Sequence, residues 1–206
     1  MTPTPTRLDI EGALRFHGHS CPGLSMGIRI AEVALREIGP HSVDEEVVCI
    51  AEADHCGVDA IQYLTGCTAG KGNLIHVDHG KSVFTFVRRS DGKAVRISAR
   101  PEFWGRSDPK DGEISGRMRA GQPVSDEDRD YVQQSRERRI QTILDAPLQE
   151  LFEVREVEID VPDRARIVNS VVCAECGEAT MSTRARSFRG QLYCVPCFEV
   201  LTQAEL

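Results

Sequence analysis

Apolar positions recur along this chain with two periods, and the change from one to the other marks its elements. Leu24, Ile28, Ala31, Leu35 and Ile38 repeat at spacings of four and three, the stripe of an amphipathic helix. Pro22 suits its first position and Gly39-Pro40 ends it. A shorter helix is expected before it, from about Asp9 to Phe16. Val47–Ala51 is short, apolar and β-branched, and reads as a buried strand. A third helix is expected from near Asp54, which would cap it, to Thr65-Gly66, burying Val58, Ile61, Gln62 and Leu64. Three strands follow, Leu74–Val77, Val83–Val87 and Ala94–Ala99, joined by turn-rich links at Asp78–Lys81 and Ser90–Lys93. They read as an antiparallel meander.

From Arg100 to Gln122 the composition shifts to Gly, Pro and charge, which reads as a loop or linker with Trp104 as its anchor. Ser125 and Asp128 then resemble a capping box that opens a helix running to about Ala146. Its apolar stripe, Val132, Ile140, Ile143 and Leu144, is incomplete, and Arg136, Arg138 and Arg139 read as a solvated face. Leu151–Val161 alternates in two registers, and the slip near Arg155 predicts a bulge or a change of partner. The fold expected is α+β, with helices packed on an antiparallel sheet over residues 1–163. A small zinc ribbon is expected over residues 164–206.

The chain has 206 residues and a net charge of -7, and the acidic excess lies before residue 164. An acidic body argues against a nucleic-acid groove. No stretch approaches the roughly 20 apolar residues that span a bilayer. Met1–Thr6 lacks the charged and apolar regions of a signal peptide. A cytoplasmic protein is therefore expected, in which eight cysteines serve metals or reactive chemistry rather than disulfides.

Two stretches concentrate the metal donors. In the tail, Cys173-Ala174-Glu175-Cys176 and Cys194-Val195-Pro196-Cys197 are paired knuckles separated by 17 residues. Four thiolates at that spacing fit a tetrahedral structural zinc site. The arm between them, with Phe188 and Tyr193, is too short to bury a core, so metal ligation must supply its folding free energy. Near the start, Phe16-His17-Gly18-His19-Ser20-Cys21-Pro22-Gly23 alternates two imidazoles and a thiol with small residues. In an extended backbone His17, His19 and Cys21 would point the same way. Cys21 also falls at a helix start, where the dipole favours a thiolate. Cys56, beside His55, falls near another helix start. Gly66–Asn73 is glycine-rich and carries Lys71, but its spacing fails the phosphate-loop count. It remains able to bring amides and a lysine to an anion.

Together these stretches resemble the E-subunit family of formylmethanofuran dehydrogenase. Phe16–Leu24 is similar to its first signature. Asp54–Gln62, continuing through Gly66–Leu74, is similar to its second, and the tail knuckles are similar to the zinc ribbon of many members. The resemblance covers about residues 10–155. It implies an α+β core, a pocket with histidine and cysteine donors, and a homodimer. It also implies partners among the subunits of a molybdenum or tungsten enzyme. His55 stands where a more variable or small polar residue is expected, and would change the ligand set if it entered the pocket.

The two N-terminal motifs supply a candidate second metal site, expected to hold zinc through His17 or His19 with Cys21 and Cys56, and to keep one position open. Cys56, Cys67, Asp59 and Lys71 are the candidate catalytic groups. Asp59 would orient a ligand histidine and Lys71 would meet an anionic substrate. Cys67 is open to three roles: ligand, nucleophile or core thiol. Cys49, within a strand, reads as core. The function expected is metal binding, with a pocket that acts on or carries a small formyl, carbonyl or pterin-like ligand. The alternative is an accessory or cofactor-carrying subunit without catalysis of its own.

Overall fold

The computed structural model describes residues 7–104 and 108–203. Met1–Thr6 and the Trp104 side chain lie outside the described parts. The chain folds as two compact units, residues 1–164 and 165–206.

The first unit opens with α1 (Arg7–His17) and α2 (Pro22–Glu37), then β1 (Val47–Ala51), α3 (Gly57–Thr65), β2 (Leu74–His76), β3 (Val83–Arg88) and β4 (Ala94–Ala99). After these come α4 (Pro101–Trp104), α5 (Pro109–Arg119), α6 (Asp126–Asp145), α7 (Leu148–Leu151) and β5 (Phe152–Val157). The sheet is five-stranded in the order β2-β1-β3-β4-β5. The fold is α+β, but the sheet is mixed. β1 pairs parallel with β2, with Cys49 opposite Leu74, while the other pairs are antiparallel. The expected meander fails at β2 because α3 and the glycine loop carry the chain back to the start of β1, as a strand–helix–strand unit requires.

Three further expectations are corrected. Residues 100–122 hold α4 and α5 rather than a linker. Asp108 caps α5 by accepting the Lys110 amide, and Pro109 occupies its first turn. Only Ile114 of α5 is buried, so the helix lacks an apolar period to announce it. No bulge interrupts β5, whose register with β4 runs unbroken from Ala99 opposite Phe152 to Ala94 opposite Val157. The strand ends at Val157, so the second apolar register continues beyond the pairing at Ile159 and Val161. Finally, α3 starts at Gly57, not near Asp54. His55 Nδ1 accepts the Gly57 amide at 3.1 Å and so supplies the missing cap.

α2 is the central helix, buried on two sides rather than along one stripe. Met26, Ile30 and Val33 pack with Cys49 of β1, Phe84 and Phe86 of β3, and Ile97 of β4. Leu24, Ile28 and Ala31 pack instead with Ala13 of α1 and with Ala60 and Leu64 of α3. The contact with α3 is backbone to backbone. A methyl group on Gly27 would fall 2.2 Å from the Gly57 carbonyl oxygen, and one on Gly23 would fall 3.2 Å from Cys56 Cβ.

Two buried polar groups organise the sheet ends. Asn73 is wholly buried; its amide donates to the Val47 carbonyl at 2.9 Å and its Oδ1 accepts the Thr68 amide at 2.9 Å. Glu52, 6 % exposed, follows β1 and pairs with Arg96 of β4 and with His79 Nδ1 at 3.1 Å.

The second unit contains two hairpins, β6 (Ser170–Val172) with β7 (Ala179–Met181) and β8 (Arg186–Phe188) with β9 (Gln191–Tyr193), and then α8 (Val195–Gln203). Among its described residues only Cys173 and Tyr193 are buried. Phe188 packs edge-on against Tyr193 and Phe198. So small an apolar set cannot offset the chain entropy of folding unaided.

Gly27→Ala is expected to cost about 2 kcal/mol or more, since the obstacle is backbone that cannot rotate away. Urea denaturation measures it, and wild-type stability would mean that the helices part without penalty. Glu52 supports an acid-range prediction. Its hydrogen bond to Arg96, and next that to His79, hold its carboxyl below the ordinary 4.5 against the opposing effect of burial. A depressed folded-state pKa adds stability above pH 4.5 that disappears as pH falls through the lowered value. Glu52→Gln should lose about 2 kcal/mol near pH 7 and show a flatter loss between about pH 6 and 3. Parallel pH profiles for the two proteins would rule the pair out as a source of acid sensitivity.

Candidate functional site

The second unit's four cysteines converge. Single sulfurs of Cys173, Cys176, Cys194 and Cys197 all lie within 4.8 Å of one another, with Cys176 and Cys194 at 3.9 Å. Each knuckle turns on a backbone hydrogen bond, from Gly177 to the Cys173 carbonyl at 3.0 Å and from Phe198 to the Cys194 carbonyl at 3.0 Å. The amides of Cys176 and then Cys194 bring the Cys173 thiol down to about 6. Four cysteine sulfurs this close together suit a structural zinc site with no position left open.

A second donor cluster forms in the first unit. One donor atom each from His17, Cys21 and Cys56 lies within 4.8 Å of the others. Each comes from a helix end. His17 is the last residue of α1, Cys21 is the N-cap of α2, and Cys56 is the N-cap of α3. The Cys21 backbone is extended, and its sulfur accepts the Leu24 amide at 3.3 Å. The thiol thus performs a cap normally left to a hydroxyl or carboxylate. Burial first, and then the facing Cys21 thiol, push Cys56 above its ordinary value. A cation held between the two sulfurs would reverse that preference.

Asp59, one turn into α3, fixes the imidazole. Its Oδ2 lies 2.7 Å from His17 Nδ1. An ionised carboxylate accepts and does not donate, so Nδ1 carries the proton. The lone pair is then on Nε2, which lies 3.8 Å from Cys21 Sγ. A carboxylate behind a histidine whose other nitrogen faces two thiols is the arrangement that orients metal-ligating histidines.

Of the two histidines that the sequence leaves open, His17 joins the thiols. The extended alternation fails because α1 continues through His17 and the chain then reverses at Gly18, with φ +91. His19 is exposed and lies outside the trio, its ring centroid 4.5 Å from that of His17. Cys67 and Lys71 are placed elsewhere. Cys67 is wholly buried, donates to the Val47 carbonyl at 3.5 Å, and is pushed up to about 11 by burial. It has neither the access nor the ionisation that a nucleophile needs. Lys71 Nζ donates to the carbonyls of Ser42 and Asp44 at 2.9 Å each, so its charge closes a loop rather than meeting an anion. Cys49 is likewise core. His55 faces Ser82 Oγ at 3.3 Å and the edge of Phe84, not the trio. Arg136 escapes sequence reasoning. Its run of arginines reads as a solvated face, yet Nη2 donates to the Ser20 carbonyl at 2.8 Å, within the loop that joins His17 to Cys21. With the partners 116 positions apart, no local pattern signals it.

Comparison with known proteins agrees with this architecture. Residues 16–153 match the family model described as FmdE, Molybdenum formylmethanofuran dehydrogenase operon. Residues 166–203 match the Prokaryotic dksA/traR C4-type zinc finger. The chain is 34% identical over 187 residues to a probable S-adenosyl-L-methionine-binding protein of Archaeoglobus fulgidus, a match covering 88% of this chain and 50% of that protein. It thus spans about half the length of that curated relative. The fold is shared with a tungsten formylmethanofuran dehydrogenase FmdE-like protein from Syntrophus aciditrophicus, at a TM-score of 0.58 and 22% identity over 92% of this chain and 89% of that one. No helix among the described residues is long and apolar enough to cross a membrane. With two thirds of its length under one family model and the C-terminal knuckles under the other, the chain belongs to the FmdE family and ends in a C4 zinc finger.

Proposed function

We propose that this metal-binding protein carries a second, working metal centre on His17, Cys21 and Cys56, and that the centre binds a small formyl or carbonyl compound. The observation that carries the reading is the convergence of three donors within 4.8 Å, backed by the Asp59 carboxylate at 2.7 Å from His17 Nδ1. Two thiolates and an imidazole suit zinc, and three protein ligands leave a fourth position for a ligand. When bound, such a cation supplies Lewis-acid polarisation of a carbonyl oxygen. The protein's own part is to hold the histidine in one tautomer and to keep both sulfurs at helix N-termini. The ribbon cysteines serve structure alone, because all four of their positions are filled by protein.

An accessory role, carrying a metal or docking as one half of a homodimer on a molybdenum or tungsten enzyme, is the competing reading. It uses the same trio and differs in whether turnover occurs. Elemental analysis of the pure chain is expected to give about two zinc equivalents. Cys21→Ser and Cys56→Ser should each leave about one, with the fold intact by circular dichroism. His19→Ala should keep both. Asp59→Asn should weaken the N-terminal site by roughly 10–100-fold in a chelator competition. Full zinc in Cys21→Ser would end the proposal. Assays with formyl compounds, aldehydes and S-adenosylmethionine then separate catalyst from carrier; the last is chosen for the name of the Archaeoglobus relative. Sedimentation gives the oligomeric state.

Removing metal from the ribbon tests its structural role separately. Cys176→Ser should lose the ribbon zinc and unfold residues 165–206, seen as amide signals collapsing in that segment, while residues 7–164 keep their dispersion. A ribbon that stayed folded without metal would show that its aromatic packing suffices.

A further inference from the structure

Beside the metal trio lies a groove of about 630 Å³ that the proposed centre does not explain. His19 and Ser20 form one wall, and the other wall is a single face of α6. The α6 positions 133, 136, 137, 140 and 141 recur at helical spacing and line it over about two turns. The eight helical steps from Gln133 to Gln141 give it a length of about 12 Å. Its volume is in the range of small-molecule sites rather than of single ions.

The groove's chemistry is mixed and specific. Arg136 is half-buried and spends one N–H on the Ser20 carbonyl, and its planar fork suits a carboxylate or phosphate. Gln133 Nε2 donates to Glu137 Oε1 at 2.7 Å, and Gln141 Nε2 donates to Asp145 Oδ2 at 2.8 Å. Both amide carbonyls therefore remain acceptors, with no donor among the described residues. Ile140 supplies the apolar contact, and the exposed His19 ring supplies a flat one. The rest of α6 is poorly anchored by apolar packing, since only Ser135 and Ile143 are buried. A helix this polar, set against the ligand loop through an arginine, has a reason to be polar if its face reads a solute.

We propose that this groove binds an elongated, oxyanion-bearing heteroaromatic molecule. Arg136 holds the oxyanion, a glutamine carbonyl accepts from a ring amino group, and Ile140 with His19 contacts the ring. The inference rests on the metal reading only for what the bound molecule would meet at its neighbouring end; binding itself is independent.

Adenosine 5′-monophosphate serves as the probe, with adenosine and inorganic phosphate as its halves, titrated calorimetrically into the zinc-loaded full chain. The monophosphate should bind at least about tenfold more tightly than either half. Arg136→Met should weaken it at least about tenfold while zinc content stays unchanged. Gln141→Glu, which does not touch Ser20, should weaken it several-fold by adding a negative charge. Equal affinity for the monophosphate and phosphate would overturn the proposal, as would an unaffected Arg136→Met. So would loss in Arg136→Met with wild-type binding by Gln141→Glu, since Arg136 would then only brace the loop. If Cys21→Ser keeps its full zinc while Arg136 still governs binding, the metal reading falls and the groove stands. If binding is absent while Cys21→Ser loses one zinc equivalent, the metal reading stands and the groove falls.

Discussion

The close approach of α2 and α3 is the constraint on which the N-terminal site depends. Two helices ordinarily pack roughly 8–10 Å apart, held off by their side chains. Here Gly27 lies against Gly57 backbone to backbone, and Gly23 leaves room for Cys56. With the helices pressed together, their N-caps become neighbours, and those caps are Cys21 and Cys56. His17 completes the trio because α1 ends beside them and Asp59 of α3 holds its ring. Three helix ends, two of them N-termini with positive dipole ends, surround one point. Both thiols therefore meet the positive ends of helices, while burial and the facing Cys21 thiol raise Cys56 above its ordinary value.

The two units reach order by different means. In the first, α2 is buried on both sides, and the sheet gives it Phe84, Phe86 and Ile97 to pack against. That core supports polar elements with little apolar surface of their own, such as α5 and α6, and it supports a cluster of donors at its margin. The second unit has a few aromatic contacts and two buried residues among those described. Its order comes from four sulfurs around one position. Ligation thus substitutes for a core in the ribbon, while the His17, Cys21 and Cys56 donors lie at the margin of a core that already exists.

How much can be read in advance follows from where each interaction sits in the chain. The ribbon knuckles are legible because their donors lie three residues apart and carry their geometry locally. The central helix and β4 are legible because burial on a face imposes a period, and β1 because it is a short, apolar, β-branched run. The polar helix α5 is not, since Ile114 alone meets the core. Neither is the parallel pairing of β2 with β1, because the pattern of a strand does not name its partner. The candidate residues divide in the same way. Cys67 and Lys71 carry reactive groups at suggestive positions in a glycine loop. Whether a thiol faces solvent or the Val47 carbonyl, and whether an ammonium meets an anion or three carbonyls, depends on segments 20 to 29 residues away.

The sequence by itself determined the chemical inventory: which donors exist, that four of them form a zinc finger, and that His17, His19, Cys21 and Cys56 flank helix starts. Only the tertiary structure decided which histidine meets the thiols, that Asp59 sets its tautomer, and that Arg136 reaches back to Ser20. Side-chain chemistry and short spacings are properties of a few adjacent residues. Convergence across 42 or 116 positions is a property of how glycine lets two helices touch and how a sheet holds them there.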